Sequence, residues 1–225
     1  MKNEEKNFSR RQMLKIGFGF GGLAILGGSA LAQTSERIVT PEVGMGPFYP
    51  MMKPLDKDAD LTRVKGQKGV AAGALVHVAG RVLDAKGKPV AGAKIEIWQA
   101  NTYGRYAHPS DPNTAQLDPN FQGYAVLKTD DEGRYRFKTI KPGAYPVSPT
   151  QMRPPHIHLD VEGKANRLVS QMFFPDEPLN DKDSVFLGLT EQSEKLAVLA
   201  KKMPPTKEIE KDAVLLNWDV VLING

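Results

Sequence analysis

Apolar and polar residues alternate with a period of two along much of the chain from Ala74 onward. Val76, Val78 and Val82 fall in step, and Ala93, Ile95 and Ile97 share one face of Ala93–Gln99. Similar runs cover Tyr124–Thr129, Arg134–Ile140, His156–Val161, Leu168–Phe174 and Val214–Ile223. Successive strand side chains point to opposite faces, so these segments predict half-buried strands. Turn chemistry separates them. Asp84-Ala-Lys-Gly87-Lys-Pro89 fits a turn, the stretch 80–93 resembles the opening hairpin of many β-sandwiches, and Asp130-Asp-Glu-Gly133 predicts a hairpin. Only Thr190–Lys202 reads as a helix, with Thr190 as N-cap, Glu191 and Glu194 early and two lysines late. The fold class is therefore mainly β: a β-sandwich with one short helix near the C-terminus and two long loops, Ala100–Gly123 and Lys141–Pro155, long enough to carry function. In this pattern His77 is a strand-face residue, and Trp98 and Trp218 are core or interface residues rather than cofactor contacts.

The ends of the chain change the charge picture. Arg10-Arg11 precedes an apolar run, Ile16 to Ala32, that closes on Ala30-Leu31-Ala32, the pattern of a cleaved twin-arginine export signal. Its glycines and marginal length make it a weak membrane span, and an uncleaved tether is the alternative. The expected organisation is a signal over 1–32, an arm over 33–70 rich in Pro, Gly, Lys and Asp, and a β-sandwich core over 71–225 destined for the periplasm. Residues 1–32 hold five basic and two acidic side chains, so the formal charge of +4 falls to +1 without them. A nearly neutral domain lacks the basic stripe that a phosphate backbone requires, which argues against nucleic acid as a partner. Cysteine is absent, which removes disulfides and thiolate ligands.

Candidate chemistry is concentrated in Arg153-Pro-Pro-His156-Ile-His158-Leu-Asp-Val161. On a strand His156 and His158 share one face while Ile157, Leu159 and Val161 share the other. Asp160 falls on the histidine face and is assigned a structural role; as a ligand it would instead suit Fe(II) held by two histidines and a carboxylate. Tyr106 and Tyr145 lie in the two long loops. Each tyrosine alone is an ordinary packed aromatic, but with two histidines they form a phenolate and imidazole set that favours a hard ion such as Fe(III) over zinc. Two phenolates and a hydroxide would neutralise the three charges of ferric iron.

These residues, with Gly46-Pro-Phe-Tyr-Pro50, Gly92–Asn101, Gly104-Arg-Tyr106, Leu117–Phe121, Thr139–Pro146 and Arg153–His158, resemble the intradiol ring-cleavage dioxygenases over most of 46–223. The resemblance implies that Tyr106, Tyr145, His156 and His158 bind non-haem Fe(III), with Tyr145 and His158 axial. It also implies that Arg153 points at the substrate ring, that Gln171 lies near the reacting carbon, and that O2 and a catecholic aromatic are consumed to give a cis,cis-muconate-type diacid. Gly46, Pro47, Phe48 and Tyr49 are expected as a substrate wall. Val147 stands where protocatechuate-cleaving members typically carry an aromatic, so the pocket there should differ in shape and the ring substituent stays open. His108 is expected in the loop behind the ligands. The chain is expected either as a homo-oligomer or paired with a related subunit, and which chain supplies the wall to which iron is left open. The competing reading is a noncatalytic transthyretin-like binding module, which leaves the four candidate ligands without a role.

Overall fold

A computed structural model describes residues 36–225; the segment 1–32, expected as an export signal, lies outside the described residues. Two sheets pack face to face. In the first, β1 (Leu75–Asp84) is flanked on one edge by antiparallel β4 (Arg134–Ile140). Its other edge takes β10 (Val214–Asn217) and β11 (Val220–Leu222), both parallel and in one register, Val76 opposite Val214 and Val82 opposite Val220. The expected strand Val214–Ile223 is thus interrupted at Trp218–Asp219. There the Trp218 carbonyl turns in over Gly80, where a Cβ would lie 1.8 Å from its oxygen, and accepts a 2.6 Å hydrogen bond from Tyr135. Short β9 (Lys201–Met203) runs antiparallel to β10.

The second sheet has the order β3 (Tyr124–Lys128), β2 (Lys94–Trp98), β7 (His156–Glu162), β8 (Arg167–Phe173), antiparallel throughout. Val76, Val78, Phe137 and Leu216 from the first sheet meet Ile95, Ile97, Ala125, Ile157, Leu159 and Met172 from the second in one core. This burial sets the phase of β7. Ile157, Leu159 and Val161 are almost wholly buried, each worth about 1.5–3 kcal/mol, and a one-residue slip would drive the histidines into an apolar layer without partners.

Three sequence expectations are corrected. The turns at Asp84–Pro89 and Asp130–Gly133 both form, with Gly87 N–H donating to the Asp84 carbonyl and Gly133 N–H to the Asp130 carbonyl. The first is a short local hairpin, with Leu83 opposite Pro89, Asp84 N–H donating to the Lys88 carbonyl and Val90 N–H to the Val82 carbonyl. But β1 and β4 belong to the first sheet and β2 and β3 to the second, so each turn then carries the chain between layers. The helix is shorter than expected. It is α2, Gln192–Val198, with Glu191 and not Thr190 as N-cap, because Glu191 and Glu194 form a reciprocal capping box. Lys201 and Lys202, expected in its last turn, pair with β10 instead. A 3-10 turn, Asn180–Lys182, and the single-turn helix α1, Ser184–Leu187, had no periodic signal. Within the loop Lys141–Pro155 the chain makes a small hairpin, β5 (Tyr145–Ser148) and β6 (Gln151–Arg153).

Residues 36–70 contain no regular strand or helix and strap across both sheets. Thr40 N–H donates to the Val221 carbonyl, Val43 N–H to Val169 and Leu61 N–H to Lys138, and the Leu61 side chain is fully buried.

Candidate metal centre

The outer face of the second sheet carries what the core face excludes. Alternation along β7 turns His156, His158 and Asp160 outward, and the same phase in neighbouring β2 turns Glu96 and Trp98 to that side. The loop after β2 is folded by Asn101, whose side-chain oxygen accepts from the Tyr103 and Arg105 N–H groups and whose amide donates to the Gln116 carbonyl. Tyr106 N–H donates to Asp111 at 2.7 Å. This loop meets the second long loop at Gly104 (φ +76°), where a Cβ would lie 2.3 Å from the Ala144 carbonyl oxygen, so glycine is required both for the dihedral and for the approach. The meeting brings Tyr145, first residue of β5, beside Tyr106, while the β5–β6 pairing sets Arg153 opposite Tyr145.

Four donor atoms converge. His156 Nε2 lies 3.2 Å from His158 Nε2, 3.4 Å from the Tyr106 hydroxyl and 3.5 Å from the Tyr145 hydroxyl. His156 Nδ1 is 2.7 Å from the Pro154 carbonyl, an acceptor only, so the proton sits on Nδ1 and the Nε2 lone pair faces the cluster. Trp98 stacks on His158 with centroids 4.8 Å apart and planes 7° from parallel. His158 Nδ1 is buried with no partner.

All four groups are buried, and burial pushes each toward its neutral form. Desolvation and the Arg153 charge lower His156 to about 3 against the pull of the Pro154 carbonyl. Desolvation, then His156 and Arg153, hold His158 well below the ordinary histidine value. Desolvation and Tyr145 drive Tyr106 well above the usual phenol range; Tyr145 is raised by desolvation and partly relieved by Arg153. The His156 Nε2 lone pair, the His158 imidazole and two neutral phenols therefore face one another in a buried cluster. A cation fits this set: donors each about 2 Å from one ion sit roughly 3 Å apart, and only a strong positive charge would draw the phenols into their anionic form. Among the described residues no three His, Asp or Glu side chains group to hold a metal, so a site here depends on the tyrosines.

The remaining candidates divide. Arg153 is buried, with Nη2 donating to Gln171 Oε1 at 2.7 Å and Nε 2.9 Å from Asp183 Oδ1. The Gln171 amide donates to the Val43 and Gly44 carbonyls, tying the strap to the cluster. Gly46 (φ +68°) abuts His158, since a Cβ there would be 3.0 Å from Cε1. Phe48 packs on Tyr106 and Tyr145 at 4.8 and 6.1 Å. The strap of this same chain thus seats on its own histidine and tyrosine cluster. Pro47 between them is exposed. Tyr49 turns to the side, its ring edge on Trp98 and its hydroxyl donating to Glu96 at 2.6 Å. Val147 is 52% exposed in the β5–β6 hairpin. Asp160 is held by Arg167 at 2.6 and 2.9 Å, His77 by Glu210 at 2.7 Å, and His108 lies against Phe48.

Sequence reading missed three residues. Trp98 is buried in a hydrophobic cluster as expected and also forms a wall of the site; the phase of Ile95 and Ile97 already put it on the histidine face. Glu96 shares that face, and Tyr124, Tyr49 and Lys53 all donate to its carboxylate. Burial would raise the Glu96 carboxyl, but these bonds with Lys94 outweigh it and hold the group below the ordinary range. Asp111 and Asp183 act from loops with no local pattern to mark them.

A family model described as Dioxygenase (Dioxygenase_C) matches residues 45–224. The protocatechuate 3,4-dioxygenase beta chain of Burkholderia cepacia is 44% identical over 73% of this chain and 71% of its own length. A hydroxyquinol 1,2-dioxygenase of Rhizobium sp. is 37% identical over 48% of this chain and 40% of its own length. Among solved structures, catechol 1,2-dioxygenase of Acinetobacter sp. ADP1 superposes with a TM-score of 0.61 at 26% identity, covering 82% of this chain and 63% of that one. With a matching family model over most of the length, a relative this similar and the same sandwich in a solved dioxygenase, the chain belongs to the intradiol ring-cleavage dioxygenase family.

Proposed function

We propose that the chain is a non-haem Fe(III) dioxygenase that cleaves a catecholic ring between its two hydroxyl-bearing carbons with O2, giving a cis,cis-muconate-type diacid. The observation that carries this reading is the convergence of His156 Nε2, His158 Nε2 and the Tyr106 and Tyr145 hydroxyls within 3.5 Å of His156 Nε2. These four would hold the iron, which would supply a Lewis acid that stabilises the diol in its deprotonated, electron-rich form.

The rest is the work of the chain. With a cation bound, the Tyr145 oxygen would be a phenolate suited to take a proton from the incoming diol, since burial favours its protonated form and the Arg153 charge only partly offsets this. Arg153, fixed between Gln171 and Asp183, presents positive charge to the ring, where developing negative charge would be stabilised. Gly46 and Phe48 close the wall from within the same chain, which supports a site that needs no related subunit. Export through residues 1–32 belongs to the proposal, supported by Arg10-Arg11 ahead of the apolar run; replacing both by lysine should leave the protein in the cytoplasm, and unchanged periplasmic yield would refute it.

The test is the visible spectrum and iron content of one purified sample, with catechol or protocatechuate added without oxygen. A broad band that tracks iron and shifts with the diol is expected, and Tyr145→Phe should lose most of that shift and reduce turnover at least a hundredfold. A protein that stays colourless after ferric reconstitution would overturn the ligand set and favour the binding module.

A further inference from the structure

A cavity of about 150 Å³ is lined by Trp98 and Tyr106 but by neither His156 nor His158. Three buried polar atoms that find no partner belong to residues lining it: Trp98 Nε1, Arg105 Nε and Gln122 Oε1. Trp98 and Gln122 are 1% and 9% exposed. The orientation of Gln122 is fixed, because its amide nitrogen donates to the Asp58 and Tyr124 carbonyls and only the oxygen is left over. Arg105 spends Nη1 on the Ala115 carbonyl. The acidic group on the lining, Asp118, is occupied by the N–H groups of Ala72 and Asn120. Phe48, Phe121 and Tyr124 supply aromatic walls.

We infer that this cavity is a second binding site, for a monocyclic aromatic carboxylate carrying a hydroxyl. A volume near 150 Å³ accepts a single benzene ring. Two N–H donors, one on a cation, match a carboxylate, and the lone Gln122 oxygen matches a hydroxyl donor. Water alone fits less well: a volume for about five molecules is offered few polar anchors among aromatic walls, and poorly held water is displaced with gain by an apolar ring. An unpaired buried donor or acceptor costs about 1–3 kcal/mol, which a ligand with these groups would relieve. Through Trp98, which stacks on His158, occupancy would be felt at the candidate metal centre.

The test uses the iron-loaded full-length chain. One equivalent of 4-nitrocatechol is added without oxygen to occupy the iron, and retention of radiolabelled 4-hydroxybenzoate is then followed by equilibrium dialysis. About one further equivalent should be retained. Leu117, half exposed on the cavity rim, tolerates change: Leu117→Trp should abolish retention by plugging the mouth, Leu117→Ala should preserve it, and Arg105→Gln should weaken it at least tenfold. No retention by the unaltered protein would mean a pocket of water only, and equal retention by Leu117→Trp would place the binding elsewhere; either overturns the inference. The nitrocatechol band reports the iron reading separately, so failure of one is distinguishable from failure of the other.

Discussion

Arg153 carries its positive charge into a setting where only 7% of the residue is exposed, and Asp183, fully buried, is the counter-charge that makes this tolerable. Removing one member of a buried ion pair leaves the other stranded, at a cost of about 3–5 kcal/mol. Asp183→Asn should therefore lower the melting temperature by roughly 6–20 °C at the usual 2–4 °C per kcal/mol for a chain of this size, and reduce kcat along with it, because Arg153 loses its aim. A thermal melt with the parent stability would show that Gln171 alone holds the guanidinium. The contrast in legibility is physical. Arg153 sits in a dense local pattern with its histidines, whereas Asp183 lies thirty residues on and caps a single-turn helix, so nothing in its own neighbourhood advertised the partner. The tyrosines were legible only jointly with the histidines, since a lone loop tyrosine is indistinguishable from packing.

At the scale of elements, β2 and β7 form one unit: adjacent strands whose inner faces supply Ile95, Ile97, Ile157 and Leu159 to the core, and whose outer faces stack Trp98 on His158. Groups that orient a metal-binding histidine without touching the ion commonly matter 10–100-fold for affinity. Trp98→Ala should weaken iron retention by about that factor in a chelator competition, and Trp98→Phe should restore most of it; equal affinity in all three proteins would make the indole mere filling. The alternation of both strands was readable because a two-residue period needs no partner to be seen. The route between layers was not. An Asp-rich turn with a terminal glycine looks the same whether it joins two paired strands or turns a corner, and the difference is set by which remote strand each side meets. Helix α2 was found but its ends were not, because Thr190 is the better cap by residue type and only the reciprocal bonds of Glu191 with Glu194 move the start one residue on.

For the whole molecule, the buried histidines link folding to pH. His156 and His158 stay neutral in the fold, at about 3 and well below 6.5, whereas the unfolded chain protonates them below about 6.5. The unfolded state then binds more protons, so stability is complete above pH 6.5 and falls as pH drops through the window toward 3, by up to about 1.4 kcal/mol per histidine per unit. Glu96 contributes in the same sense but only below its ordinary value near 4.5, which leaves pH 6.5–5 as the histidine window. The melting temperature of iron-free protein should decline across that window, and the double replacement His156→Gln, His158→Gln should flatten the decline; a flat profile in the parent would contradict it.

The parallel pairing of β1 with β10 and β11 has a consequence for biogenesis. Val76 and Val214 are register partners separated by most of the domain, so the central strand is synthesised long before the edge it must join, and closing so long a loop is slow. Until that edge arrives, one side of β1 presents unpaired backbone groups, the condition in which strands recruit neighbours. A nascent chain of this protein is thus exposed to aggregation for most of its synthesis, and any quality check on the folding chain has a plain signal to read: whether the last strand has found the first.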